Sequence, residues 1–160
     1  MIEKSFAKVN LFLEVVGKRP DGYHELETVF HEIDLFDTIE LNVSPSKDSQ
    51  KIEVECKKLN ILPEENIVYK ACKAFFSKFD IKDSVFIKIE KNIPSGAGLG
   101  GGSSNAACVL KMLAKIYNIK NYFEELHPIA TRLGADVPFF LKGGTAIGRG
   151  IGEKLEFIFF

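Results

Sequence analysis

The twelve residues Pro94-Ser95-Gly96-Ala97-Gly98-Leu99-Gly100-Gly101-Gly102-Ser103-Ser104-Asn105 hold five glycines within seven positions. Without Cβ atoms such a backbone can curl until successive N–H groups converge on one anion, and a helix beginning near Ser103 would add the positive end of its dipole. Phosphate is the ligand this chemistry favours. Ser103 and Ser104 can cap that helix, touch phosphate oxygens or ligate a phosphate-bound Mg2+, and the sequence leaves the three roles open. A GxxxxGK[ST] loop needs a lysine that is absent here, and a dinucleotide-binding turn needs an acidic residue after the next strand of a βαβ unit. The GxGxxG string from Gly96 to Gly101 also fits a flexible surface turn.

Other residues offer polar chemistry at useful spacing. Lys8 and Asn10 are two apart in an alternating run, so on a strand they project from one face about 7 Å apart, able to grip a small ligand or to meet solvent. Arg19-Pro20-Asp21-Gly22 is a turn sequence, and it delivers Tyr23 and His24. Asp136, before Val137-Pro138, reads as a turn residue or as a carboxylate available for proton transfer. Cys56, Cys72 and Cys108 are odd in number and far apart, which suits buried reduced thiols rather than a disulfide framework or a metal knuckle. His24, His31 and His127 lack the HExxH pairing, so no intrinsic metal site is expected and any metal arrives with a substrate.

The elements that must hold these residues follow from periodicity. Alternation of Ala7, Val9, Leu11, Leu13 and Val15 against Lys8, Asn10, Phe12 and Glu14 predicts a strand. Two more strands are predicted over 28–35 and 39–43, then a polar surface hairpin from Ser44 to Lys51, then a strand at Ile52, Val54 and Cys56. Ile67, Val68, Ala71, Cys72, Phe75, Phe76 and Phe79 recur at three- and four-residue spacing and predict a helix. A strand at Val85, Ile87 and Ile89 leads to the glycine loop, and Ala106, Ala107, Leu110, Leu113 and Ala114 form the inner face of the helix after it. Tyr122 to Leu133 is a third helix, ended by Gly134 and kinked by Pro128. The chain closes on Phe157-Ile158-Phe159-Phe160, an apolar strand without obvious cover. The whole is an α+β domain, a mixed or antiparallel sheet with about three helices on one face.

Composition narrows the function. The 160 residues are 46% hydrophobic and 27% charged, the range of one ordinary domain. Lys and Arg number 21 against 22 Asp and Glu, for a formal charge of −1, which gives no broad attraction to nucleic acid or to an anionic membrane. No basic face or aromatic RNA-binding motif is visible. No stretch approaches the roughly 18 apolar residues of a membrane span, and the Met1-Ile2-Glu3-Lys4 start lacks a signal-peptide layout, so a cytoplasmic protein is expected.

Four blocks in order carry a resemblance: Ala7 to Leu13, Arg19 to His24, Pro94 to Ala107, and Leu133-Gly134-Ala135-Asp136-Val137-Pro138-Phe139. Together they resemble the kinase superfamily that takes in galactokinase, homoserine kinase, mevalonate kinase and phosphomevalonate kinase, whose second motif is a proline followed by such a Gly/Ser-rich loop. The Asp-Gly-Tyr-His and Gly-Ala-Asp-Val-Pro segments are similar to the branch acting on a cytidine-diphosphate-linked methylerythritol, in the non-mevalonate route to isoprenoid precursors.

That resemblance implies a ribosomal-protein-S5-like domain and ATP-dependent phosphorylation of the 2-hydroxyl of that small molecule, with ATP as co-substrate and Mg2+ beside it. It makes Asp136 the catalytic carboxylate and Lys8 its cationic partner, consistent with proton acceptance by a carboxylate kept ionised by an ammonium. Tyr23 would stack on the cytosine, His24 would bond its edge, and Asn10 would contact the sugar-alcohol or its phosphates. Pro94, Ser95, Gly96, Ala97, Gly98, Leu99, Gly100, Gly101, Gly102, Ser103 and Ser104 would hold ATP. Asn66 and Lys91 match adenine-pocket positions, although Asn66 equally reads as a helix cap and Lys91 as solvent-facing. Members of the family have two domains, so residues 1–160 would be the amino-terminal ATP- and substrate-binding domain, with the carboxy-terminal one absent and its contact surface open to self-association. Two other readings compete: a catalytically silent nucleotide-binding module of the same fold, and a sister kinase acting on homoserine or a mevalonate-type alcohol, without preference for cytidine diphosphate.

Overall fold

A computed structural model describes residues 1–46 and 48–159. Six strands form one mixed sheet in the order β3-β4-β2-β5-β6, with β1 also paired to β2. The strands are β1 (Ile2–Lys18), β2 (His24–Ser44), β3 (Ile52–Glu55), β4 (Ser84–Glu90), β5 (Thr145–Gly150) and β6 (Lys154–Ile158). Between them lie α1 (Ile67–Lys78), α2 (Gly101–Ile116), α3 (Tyr122–Leu133) and the single turn α4 (Val137–Phe140). On β4, Val85, Ile87 and Ile89 are buried and the residues between them are not, the alternation expected when helices cover one face. The core joins Ile39, Leu41 and Ile87 of the sheet to Phe75, Leu110, Leu113, Leu126 and Phe139 of the helices.

β2 is the spine. Its outer part, Leu26 to His31, pairs with β5, its inner part, Thr38 to Ser44, pairs with β4, and β1 runs along it from His24 to Glu40. The two strands predicted over 28–35 and 39–43 are therefore one: it stays paired to β1 across a register shift at Phe6 and Ala7, where its buried positions change from Thr28 and Phe30 to Asp37, Ile39 and Leu41. The predicted hairpin from Ser44 to Lys51 is not one: β3 pairs in parallel with β4 rather than with β2, so this segment connects strands that are not neighbours, and its Lys47 lies outside the described residues. β1 follows its predicted alternation only as far as Asn10. A register shift between Asn10 and Phe12 inserts Leu11 as an extra residue, and beyond it Leu11, Phe12, Leu13, Val15 and Val16 are all exposed.

α1 and α3 stand where periodicity puts them. α3 runs through Pro128 and stops at Gly134. α2 starts at Gly101, earlier than the predicted Ser103, and α4 was not predicted, being too short to show a period. The carboxy-terminal apolar run finds partial cover: Phe157 of β6 stacks on Phe139, with ring centroids 6.5 Å apart, and meets Phe123 edge-on at 6.1 Å. Phe160 lies outside the described residues.

Candidate active site

The glycine loop is set between β4 and α2 by close packing rather than by length. Gly100 caps α2 in the left-handed region at φ 69°, and a Cβ there would stand 2.8 Å from the Phe140 ring. A Cβ on Gly101 would stand 2.9 Å from Ile93 Cγ2 and 3.0 Å from Lys91 Nζ. Both positions demand glycine, the first twice over. The Leu99 carbonyl accepts from the Lys8 amide at 3.0 Å, which pins the loop to β1. The Ser104 amide is the first in the helix to find a carbonyl, that of Gly100 at 2.8 Å, leaving the N–H groups at the start of α2 for a ligand. They border a cavity of about 490 Å³ lined by the loop from Pro94 to Ser103 together with Ile61, Asn66, Ile67, Lys91 and Asn105.

At the base of the loop stand Lys8 and Asp136. Lys8 Nζ is 3.5 Å from Asp136 Oδ2, with side-chain exposures of 6% and 33%, so the ammonium is sheltered while the carboxylate reaches solvent. The same nitrogen donates to Asn10 Oδ1 at 2.6 Å and lies 5.3 Å from the centroid of Phe30, a cation–π distance. Asn10 Nδ2 donates to Thr28 Oγ1 at 2.7 Å, and Thr28 in turn donates to the Phe12 carbonyl at 2.7 Å. This relay across the β1–β2 pair fixes the orientation of Asn10. The turn from α3 to α4 brings Asp136 to the same place, since a Cβ on Gly134 would stand 3.9 Å from Ser103 Oγ.

The sequence-predicted residues thus divide into three groups. Lys8, Asn10, Asp136, the loop and Ser103 converge. Asn66, Lys91 and Ser104 stand around the loop, each with a polar atom already engaged. Asn66 Oδ1 accepts from the Val68 amide at 2.9 Å and caps α1, while the residue also lines the cavity. The Ser104 hydroxyl turns inward to Ser5 Oγ at 2.7 Å. Lys91, expected to face solvent or adenine, is buried and donates to Asp37 Oδ2 at 2.5 Å.

Tyr23 and His24 stand apart at the tip of the β1–β2 arm. The turn there is held by the Gly22 amide on the Arg19 carbonyl at 3.1 Å and an Arg19–Asp21 ion pair at 3.1 Å. Glu32 is the register partner of Lys8, and eight residues of strand separate His24 from it, a span of at most about 26 Å. Tyr23 is 61% exposed.

Sequence reasoning missed Thr28, Phe30 and the buried Asp37. Asp37 had a signal: it shares parity with the inward Ile39 and Leu41, so a carboxylate stood where an apolar residue was due. Of the cysteines, Cys72 and Cys108 are buried and Cys56 half-buried, all unpaired. Burial pushes the Cys72 thiol up, and that of Cys108 up to about 11, so neither is a ready nucleophile at neutral pH. Among the described residues no helix is long and apolar enough to cross a membrane.

A sheet that feeds a proline-led glycine loop into the start of a helix, with a lysine–aspartate pair at its base, defines a class. Residues 66–144 match the GHMP kinases N terminal domain. Among curated proteins it is 53% identical over 152 residues to the 4-diphosphocytidyl-2-C-methyl-D-erythritol kinase of Sulfurihydrogenibium sp. (strain YO3AOP1), covering 95% of this chain and 54% of that one. It is 48% identical to the enzyme of the same name from Clostridium beijerinckii, over 95% of this chain and 53% of the relative. A crystal structure of 4-(cytidine 5'-diphospho)-2C-methyl-D-erythritol kinase superposes with a TM-score of 0.81 at 42% identity, over 98% of this chain and 54% of the other. The chain spans about half the length of the curated relatives it matches.

Proposed function

We propose that residues 1–160 form the ATP- and substrate-binding domain of a cytoplasmic kinase that phosphorylates the 2-hydroxyl of 4-diphosphocytidyl-2-C-methyl-D-erythritol. The remaining half of the relatives' length would supply a carboxy-terminal domain. The observation that carries the reading is the convergence of two devices, an α2 amino terminus with open N–H groups and the Lys8–Asp136 pair at 3.5 Å beside it.

In this reading the γ-phosphate of ATP sits at the start of α2, where the glycine backbone leaves room and the helix dipole favours the anion. The alcohol oxygen attacks phosphorus, the bond to the β-phosphate oxygen breaks, ADP leaves, and Asp136 takes the hydroxyl proton. Lys8, oriented by Asn10 and sheltered over Phe30, offsets negative charge on the transferring group. Mg2+ would enter as part of the nucleotide. Bound with the nucleotide it would neutralise phosphate charge, and Ser103, on the first turn of α2, has a hydroxyl that would help hold it. Tyr23 and His24, free at the arm tip, take the cytosine by stacking and hydrogen bonding.

Calorimetric titration of the chain with Mg-ATP and separately with the diphosphocytidyl alcohol tests the reading. Saturable heat is expected from both, with cytidine diphosphate competing only against the alcohol. No competition by cytidine diphosphate would favour a sister kinase, and no heat with ATP would remove the nucleotide reading.

A further inference from the structure

Beneath the loop lies a group of buried polar side chains that the proposed chemistry does not use. Asp37 is wholly inaccessible (0%), and Ser5, Lys91, Ser104 and Asn105 are buried around it. β4 ends at Glu90, whose register partner on β2 is Thr38. The amides of Asn92 and Ile93 that follow have left the ladder, and Asp37 Oδ1, one residue before Thr38, accepts both at 2.7 and 2.9 Å. The side chain thus continues the hydrogen bonding of the sheet where its strand departs. Asp37 Oδ2 accepts from Lys91 Nζ at 2.5 Å and from Asn105 Nδ2 at 2.9 Å. Asn105 belongs to α2, and its Nδ2 also donates to Ser5 Oγ at 3.0 Å on β1.

A buried ion pair is a weak source of stability, because desolvation offsets the attraction and apolar replacement of both partners is often neutral. Direction is what this pair supplies. One carboxylate holds the strand exit through Asn92 and Ile93 and the first turns of α2 through Asn105, which are the two ends of the glycine loop. Lys91 Nζ, although beside the cavity, is spent on Asp37 and, at 3.3 Å, on Asn105 Oδ1.

We propose that Asp37 is the positioning residue of the loop, setting both of its ends, and that Lys91 serves as its counter-charge rather than as a contact to nucleotide. The link to nucleotide rests on the proposed function, whereas the setting of the loop is measurable without ligand.

Three variants of the full chain test it: Lys91→Met, Asp37→Asn with Lys91→Met, and Asp37→Leu with Lys91→Met. Tm, Mg-ATP affinity, and amide exchange at Lys8 and Ser104, whose N–H groups bond to loop carbonyls, are read in each. Lys91→Met keeps ATP affinity and both protected amides. The asparagine pair retains an oxygen for the Asn92 and Ile93 amides, its Nδ2 donates to Asn105 Oδ1 once that side-chain amide turns over, and it behaves alike. The leucine pair leaves the Asn92, Ile93 and Asn105 donors without an acceptor and melts below the asparagine pair; its exchange rises about tenfold at Lys8 and Ser104 but not within α1, and it binds Mg-ATP about tenfold more weakly.

Equal exchange and equal affinity in the two double variants would overturn the positioning role. Loss of affinity in Lys91→Met with unchanged exchange would overturn the assignment of Lys91 and make it a nucleotide contact. Should the leucine pair not fold, Asn105→Leu unties α2 alone. Protection is then expected to fall at Ser104 and persist at Asn92 and Ile93, and unchanged protection at Ser104 would count against the proposal. A wild-type chain that gives no heat with ATP ends the nucleotide reading, and the exchange measurements still decide the loop.

Discussion

The two ends of the candidate site are built in opposite ways. At the glycine loop, glycines fill contacts where no Cβ fits and a buried carboxylate secures both flanks. At the β1–β2 arm the strands carry exposed Leu11, Leu13, Val15 and Val16 to a tip where Tyr23 is open to solvent. The difference teaches where the affinity of each ligand comes from. In the proposed function the pre-set loop would bind its anion at little ordering cost, whereas the solvent-exposed arm tip would have to order its ligand and itself together.

Alterations that strike one end and spare the other sharpen this contrast. Lys8→Met has the largest expected effect, a loss of turnover of about 10²- to 10³-fold with ATP binding retained, read from the kcat-against-KM split. Equal loss of ATP binding would move Lys8 from the reacting centre to the nucleotide. Gly100→Ala comes next, because its left-handed φ and its contact with Phe140 both resist a Cβ. Mg-ATP affinity should fall roughly tenfold or more, together with Tm, while affinity for the alcohol changes little. Tyr23→Ala should weaken the cytidine-linked alcohol about tenfold and leave ATP affinity and Tm unchanged, since the ring is exposed.

The smallest effect expected is in pH dependence. Burial raises the Glu32 carboxyl above its ordinary 4.5, against lowering by Lys111 and His31. Glu32 lies between the Gly143 turn, whose Cβ would touch it, and β1, where Lys8 is its register partner. A carboxyl raised in the folded state favours folding below its unfolded pKa and loses that contribution as pH rises through the folded value. Glu32→Gln should therefore raise Tm slightly at pH 7 and leave it unchanged near pH 4. A gain in Tm that persists unchanged at pH 4 would show that the carboxyl's ionisation is not the cause.

Much of this arrangement was legible in the residues. Helices α1 and α3 were read by their apolar spacing, and the loop by its glycines. Sheet connectivity was not, because alternation reports which face of a strand is buried and not which strand lies beside it. The pairing of β3 with β4, and the continuity of β2 past Asp37, needed the structure. Lys8, Asn10 and Asp136 were legible as a set only through the resemblance, since a lysine on a strand and an aspartate in a turn are ordinary residues. The state of Lys91 was hidden for a related reason. Its partner Asp37 is 54 residues away, and nothing in a linear pattern announces a long-range ion pair except a charge standing at an inward position.

The central claim is that the Lys8–Asp136 pair beside the loop is a phosphoryl-transfer centre. ADP release by the chain with Mg-ATP, with and without the diphosphocytidyl alcohol, beside Asp136→Asn, tests it most directly. Alcohol-dependent release lowered about 10²- to 10⁴-fold by the substitution is the predicted result. Release that ignores the alcohol, or that survives Asp136→Asn at the wild-type rate, would contradict it.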